Sequence, residues 1–160
     1  MLKVSKSLGA ILISMALGAI IGAVIASMTL EPYTGGGALP APNTFQTFQI
    51  LYGGFCGAIE GFLSAIITVA LVKSGFFPNL EAWQIFVLTI TFGLINSLLW
   101  TAFAYSVAVE GGRVLHDYSE KMILETAVKK LITGCIVGGI SVLLVKFFST
   151  SSTAKNQSLE

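Results

Sequence analysis

Charged residues and histidine are scarce in this chain. Only 11% of its 160 residues are charged, whereas a soluble domain has about 25%, and this shortage argues against a soluble globule. The single histidine, His116, leaves no histidine cluster to hold haem or a catalytic metal inside a membrane. The two cysteines, Cys56 and Cys135, fall in apolar runs and match no metal-ligand spacing. We therefore predict no disulfide framework, no metal site and no cofactor.

Motifs of catalysis and of nucleotide binding are also missing. The glycine run at residues 35–37 lacks the lysine and the helix start that a phosphate-binding loop needs. The nucleophile motif of hydrolases is absent from the sequence. The formal net charge is only +1, which gives no basis for a nucleic-acid partner. The sequence predicts a protein that is not an enzyme and has no catalytic residues.

Long apolar runs dominate the chain, in which 54% of residues are hydrophobic. Spanning a bilayer takes roughly 18 or more apolar residues. Four segments meet this length, the last one only if the lysines at its ends extend toward the interfaces: about 8–30, 50–72, 83–109 and 127–148. The first run exceeds the roughly 7–15 apolar residues of a secretory signal core, so we interpret it as a span. We predict an all-α integral membrane fold, a four-transmembrane-helix bundle over residues 1–148 in contact with the lipid bilayer.

The connections between the runs indicate the topology. The first loop, 31–49, contains three glycines and three prolines and no basic residue, which predicts an irregular external loop. The connection at 74–82 is short and predicts that the second and third helices pack as antiparallel neighbours. Lys3 and Lys6 precede the first span, and basic residues stay on the cytoplasmic side. We expect a multi-pass protein with both termini cytoplasmic.

Two segments near the C-terminus have a different composition. In residues 113–130, charged side chains alternate with apolar ones, and Leu115, Tyr118 and Met122 recur at helical spacing. This pattern fits an amphipathic interfacial helix before the last span, and it fits equally an outward extension of the fourth helix. Residues 149–160 are rich in serine and threonine, and we predict a disordered polar tail there.

Small residues recur at four-residue spacing on three of the predicted helices. Such faces let helix backbones approach closely in lipid, where packing contacts must drive association. The glycines predicted to pack helices are Gly18 and Gly22 on the first helix, Gly53, Gly57 and Gly61 on the second, and Gly134 and Gly138 on the fourth. Spacing does not distinguish contacts within one chain from contacts in a homo-oligomer, and both interpretations stay open.

Glu60 is a lone carboxylate in the middle of the second apolar run. An ionisable group at bilayer depth is costly, and by default it marks a functional site. Its helix face also carries Ser64 and Thr68, because residues three or four apart are neighbours on a helix. On the third helix, Asn96 lies as far after the short connection as Glu60 lies before it, and Ser97 is the next polar residue. We therefore predict that Glu60 and Asn96 lie at the same depth.

Three roles for Glu60 remain open from the sequence. A protonated Glu60 donates a hydrogen bond to Asn96 or a carbonyl and joins helices. Alternatively, Glu60 binds and releases a proton or cation during transport, or pairs with a cation of another protein. The leading hypothesis is a small, oligomeric membrane protein that transports or conducts an ion, proton or small solute. The alternative is a non-transporting accessory or assembly subunit of a larger membrane complex.

Overall fold

Four helices account for nearly all of the residues that the structure describes. The computed structural model describes residues 2–28, 42–110 and 120–157, with the helices α1 (Leu2–Met28), α2 (Pro42–Lys73), α3 (Ala82–Glu110) and α4 (Glu120–Gln157). Each contains a segment long and apolar enough to cross a membrane: Lys6–Met28, Gln46–Lys73, Ala82–Ala102 and Leu124–Ser149. The predicted all-α, four-transmembrane-helix bundle is confirmed, and the chain is a multi-pass integral membrane protein.

The helices pack as two antiparallel pairs that α4 joins. The first pair is α1 with α2 and the second is α3 with α4, while α4 also packs against both α1 and α2. Among the described residues, α2 and α3 form no comparable interface, so the predicted direct packing of these two helices is wrong. The reason is that the small residues of α2 pack against α1, and α3 packs against the glycines of α4.

The turn between α2 and α3 contains two residues with positive φ. Gly75 has a φ of 78°, a left-handed conformation that lets the chain leave the end of α2. The Phe77 amide then donates a hydrogen bond to the Leu71 carbonyl oxygen, at 3.2 Å. Leu80 has a φ of 44°, which is rare for a residue with a side chain. Its side chain is only 1% exposed and belongs to the apolar core, so burial holds it in this conformation.

The two ends of α4 bear on two predictions from the sequence, one for residues 113–130 and one for residues 149–160. Because α4 begins at Glu120 and is continuous, residues 120–130 extend the fourth helix outward and do not form a separate interfacial helix. Residues 113–119 of that segment, like the first loop up to residue 41, lie outside the described residues. The predicted disordered tail differs from the structure, in which α4 continues to Gln157. Residues 149–157 contain no glycine or proline to end a helix.

Candidate functional site

Pairs of small residues bring the backbones of α1 and α2 into direct contact. A Cβ atom added at Gly57 would collide with the carbonyl oxygen of Gly18, and one added at Gly18 would collide with that of Gly57. The same close approach occurs at Gly22 with Gly53 and at Ser14 with Gly61. The predicted glycine faces of these two helices therefore pack against each other within one chain, and this contact fixes the rotation of α2 and with it the direction of Glu60.

Gly134 lies where α2, α3 and α4 meet. A Cβ added there would stand 2.8 Å from Glu60 Oε1, 2.8 Å from Asn96 Cβ and 2.8 Å from Gly93 Cα. Glu60 and Asn96 thus lie at the same depth, as their spacing in the sequence predicts. One turn further along α4, a Cβ at Gly138 would stand 2.7 Å from Phe92 Cβ. Both predicted glycines of α4 therefore lie in helix contacts.

Glu60 is buried near the middle of the Gln46–Lys73 span. Its side chain is 7% exposed, and its Oε1 atom has no hydrogen-bond partner. The neighbouring Asn96 amide does not bind it: Asn96 Nδ2 donates to the Lys130 carbonyl oxygen, at 2.7 Å. Ser97 Oγ likewise donates to the Ala127 carbonyl oxygen, at 2.8 Å. Asn96 and Ser97 therefore attach α3 to α4 and leave the carboxyl oxygen of Glu60 unoccupied.

Ser64 and Thr68 continue the buried polar face of α2 beyond Glu60. Both are almost fully buried, and Thr68 Oγ1 donates to the Ser64 carbonyl oxygen, at 2.7 Å. On α4, Ser141 Oγ donates to the carbonyl oxygens of Val137, at 2.8 Å, and Gly61, at 3.4 Å. The Thr68 and Ser141 hydroxyls are thus bonded to backbone carbonyls, and this half of the bundle is closed by packing.

Lys130 belongs to the site, although its place at the start of the fourth apolar run predicts only a lysine that extends toward the interface. Its ammonium lies 5.1 Å from the Trp100 ring centroid and 5.8 Å from that of Tyr52, within the roughly 6 Å of a cation–π contact. It also interacts electrostatically with Glu60. One signal in the sequence indicates this position, since Lys130 lies one helical turn before Gly134 and on the same face of α4.

A polar cavity of about 220 Å³ lies between α1, α2 and α4. Glu60 lines it together with polar side chains of α2 and α4: Gln49, Tyr52, Thr126, Lys129, Lys130 and Thr133. Gln49 Oε1 is also buried without a hydrogen-bond partner. The cavity has room for several water molecules, which need polar partners of this kind. It extends from Glu60 toward the helix ends that adjoin residues 29–41 and 111–119.

An apolar cleft of about 500 Å³ lies between α2 and α3. Its walls are mostly aromatic and aliphatic, including Phe55, Leu63, Ile95, Leu99 and Trp100, and Glu60, Ser64 and Asn96 supply its polar groups. Glu60 and Tyr52 line both the polar cavity and the apolar cleft. Glu60 therefore stands between a space suited to water and a space suited to hydrocarbon.

The described residues contain no group of three or more histidine, cysteine, aspartate or glutamate side chains that is placed to hold a metal ion. The site offers the chemistry of one carboxyl group, with an oxygen that has no hydrogen-bond partner, beside a lysine and a polar cavity that has room for several water molecules. Such a group binds and releases protons or hydrogen-bonding ligands. No protein-family model, curated protein or solved structure matches this chain.

Proposed function

We propose that this protein transports or conducts a proton, or a small solute together with a proton, and that Glu60 is the group that binds the proton. The observation that carries the proposal is the unpartnered Oε1 atom of Glu60 in the middle of a span, on the wall of the polar cavity. A carboxyl oxygen kept in the membrane without a hydrogen-bond partner costs stability, so a transport role accounts for its presence.

The charges along the polar cavity favour a proton over a metal cation. Lys129 and Lys130 line the cavity between Glu60 and the nearer helix ends, and positive side chains repel dissolved cations from a pore. Protons instead pass along water molecules and hydroxyl groups such as those of Thr126 and Thr133. With both termini cytoplasmic, as the basic residues before α1 suggest, the cavity faces the external side.

A complete path across the membrane needs more than the packing of one chain. Beyond Glu60, Ala65, Thr68 and Val142 are completely buried, so the route from Glu60 to the other side passes between helices that must move or belong to different copies. We therefore include a homo-oligomer in the proposal. The helix bundle itself acts without catalytic chemistry.

The alternative of an accessory subunit has less support. It assigns Glu60 to a cationic partner on another protein, but Lys130 of the same chain already interacts electrostatically with Glu60. Molar mass in mild detergent separates the two functions. A stable homo-oligomer supports transport, whereas a monomer that purifies in fixed stoichiometry with other subunits contradicts it.

Glu60→Gln tests the role of the carboxyl group directly. The amide keeps the shape and hydrogen bonding of the side chain but does not ionise, so we expect proton flux into proteoliposomes, followed with a pH-sensitive dye, to fall at least about tenfold. Glu125→Gln is the matched control, because Glu125 is an exposed acid of α4 outside both cavities, and its flux should stay unchanged. Unchanged flux and pH dependence in Glu60→Gln would show that Glu60 only joins helices.

A further inference from the structure

We propose that the apolar cleft between α2 and α3 binds a neutral single-chain lipid of the surrounding bilayer, such as a long-chain alcohol, with its polar end at Glu60 and Asn96. This proposal does not rest on the transport function, because binding to the cleft is measured without a gradient.

The shape of the cleft fits an elongated apolar molecule that enters from the side. One aromatic pair joins the two helices at an end of the cleft: Tyr52 with Trp100, at 5.9 Å between ring centroids. Beyond this pair the helices separate around about 500 Å³, a volume within the roughly 300–1,000 Å³ of ligand pockets. The wall residue Phe55 is 63% exposed on the membrane-facing surface, so the cleft opens toward lipid.

The polar groups of the cleft favour a ligand with a hydroxyl end. Glu60 lines the cleft and has a buried Oε1 atom without a partner, and the Asn96 side chain lies beside it at the same depth. A hydroxyl group donates one hydrogen bond and accepts others. A hydroxyl group can therefore form a hydrogen bond with Glu60 whether the carboxyl group is ionised or protonated. A group that only donates, or only accepts, lacks this ability.

The charges near the cleft favour a neutral ligand over an ion. Glu60 and the Lys130 ammonium interact electrostatically, so with both ionised these two charges offset each other. With Glu60 protonated, the remaining charge is positive, and a ligand amine gains nothing. An anionic head group would have to reach Lys130, which lies over the Trp100 and Tyr52 rings and does not line the cleft.

Trp100 provides a direct measurement of binding. The chain has two tryptophans, and Trp83→Phe leaves Trp100, a cleft residue, as the only one. In phosphatidylcholine nanodiscs, a brominated stearyl alcohol should quench Trp100 fluorescence saturably. Its affinity should exceed that of the brominated fatty acid and the brominated alkylamine of equal chain length by about tenfold. The reason is that burying an uncompensated charge costs more free energy than burying a hydroxyl group.

Filling the cleft supplies the first control. Ile95→Phe adds bulk to the cleft wall and should weaken binding of the alcohol at least about tenfold, and Leu63→Phe should do the same from α2. Leu98→Phe is the matched variant, because Leu98 is 72% exposed and lies outside the cleft lining, and its affinity should be unchanged. Binding that survives both cleft variants, or quenching that is equal and unsaturable for all three probes, overturns the proposal.

Substitutions of Glu60 supply the second control. Glu60→Gln keeps hydrogen bonding and should change the affinity for the alcohol less than about threefold, whereas Glu60→Leu removes the polar partner and should weaken it about tenfold. If the amine binds more tightly than the alcohol and Glu60→Gln abolishes that binding, the ligand is a cation and the proposal is wrong. Loss of proton flux in Glu60→Gln with retained alcohol binding would separate this site from transport.

Discussion

Gly57→Ala is expected to push α1 away from α2 and to destabilise the bundle by about 2 kcal/mol. The added methyl group would collide with the carbonyl oxygen of Gly18, and it would stand 3.1 Å from Gly22 Cα. These are backbone atoms, so no side-chain rotation relieves the overlap and the whole helix must shift. For a chain of this size the melting temperature should fall by roughly 4–8 °C, measured by tryptophan fluorescence in mild detergent.

The matched control for Gly57→Ala is Gly9→Ala. A Cβ at Gly9 meets nothing within 4 Å, and alanine is the better helix former, so its melting temperature should stay equal or rise. Gly18→Ala adds a methyl group to the same contact from the side of α1. The melting temperature of the double variant Gly18→Ala/Gly57→Ala should therefore fall by less than the sum of the two single decreases. Equal melting temperatures for Gly57→Ala and Gly9→Ala would contradict the close helix contact.

The helices and the depth of the site were predictable because they depend on local patterns. An apolar run of sufficient length must satisfy its backbone groups internally in lipid, and this alone predicts four helices. The rise per residue is constant along a helix, so counting outward from the turn predicts that Glu60 and Asn96 lie at one depth. The glycine spacing also predicts which faces pack closely.

The pairing of helices was not predictable in the same way, since it depends on which surfaces fit together. The short turn predicts that α2 packs on α3, yet the bulky side chains Phe55, Leu63 and Leu99 lie on the walls between them. Meanwhile α1 and α4 offer α2 small residues at Gly18 and Gly134. Closer packing is available on those sides, because small residues let backbones meet in lipid, and the apolar cleft is the consequence.

The role of Lys130 was hidden for a related reason. Lysines near the ends of spans usually extend toward the interface, and the place of Lys130 before the fourth apolar run predicts the same for it. The structure instead has the Lys130 ammonium over two aromatic rings contributed by α2 and α3. Only the three-helix arrangement brings Tyr52 and Trp100 together at 5.9 Å, so the shared face of Lys130 and Gly134 on α4 does not by itself identify the aromatic contact.

Gly134→Ala should disturb the site itself, with a loss of about 2 kcal/mol in stability and a fall of about tenfold in proton flux. Its methyl group would stand 2.8 Å from Glu60 Oε1, from Asn96 Cβ and from Gly93 Cα. The backbone atom of Gly93 does not yield, so α3 and α4 must separate and Glu60 must move. The separation also lengthens the hydrogen bond from Asn96 to the Lys130 carbonyl.

Gly139→Ala is the matched control for this prediction. Its Cβ would stand 3.2 Å from Thr89 Cγ2, a side-chain atom that shifts by a few tenths of an ångström, so we expect flux within about twofold of the parent protein. If Gly134→Ala acts by separating α3 from α4, then Asn96→Ala should add little to it, because the first change already weakens the hydrogen bond that the second removes. Fluxes are compared well below each melting temperature, where every variant is folded. A normal flux in folded Gly134→Ala would mean that the position of Glu60 against α4 does not control transport.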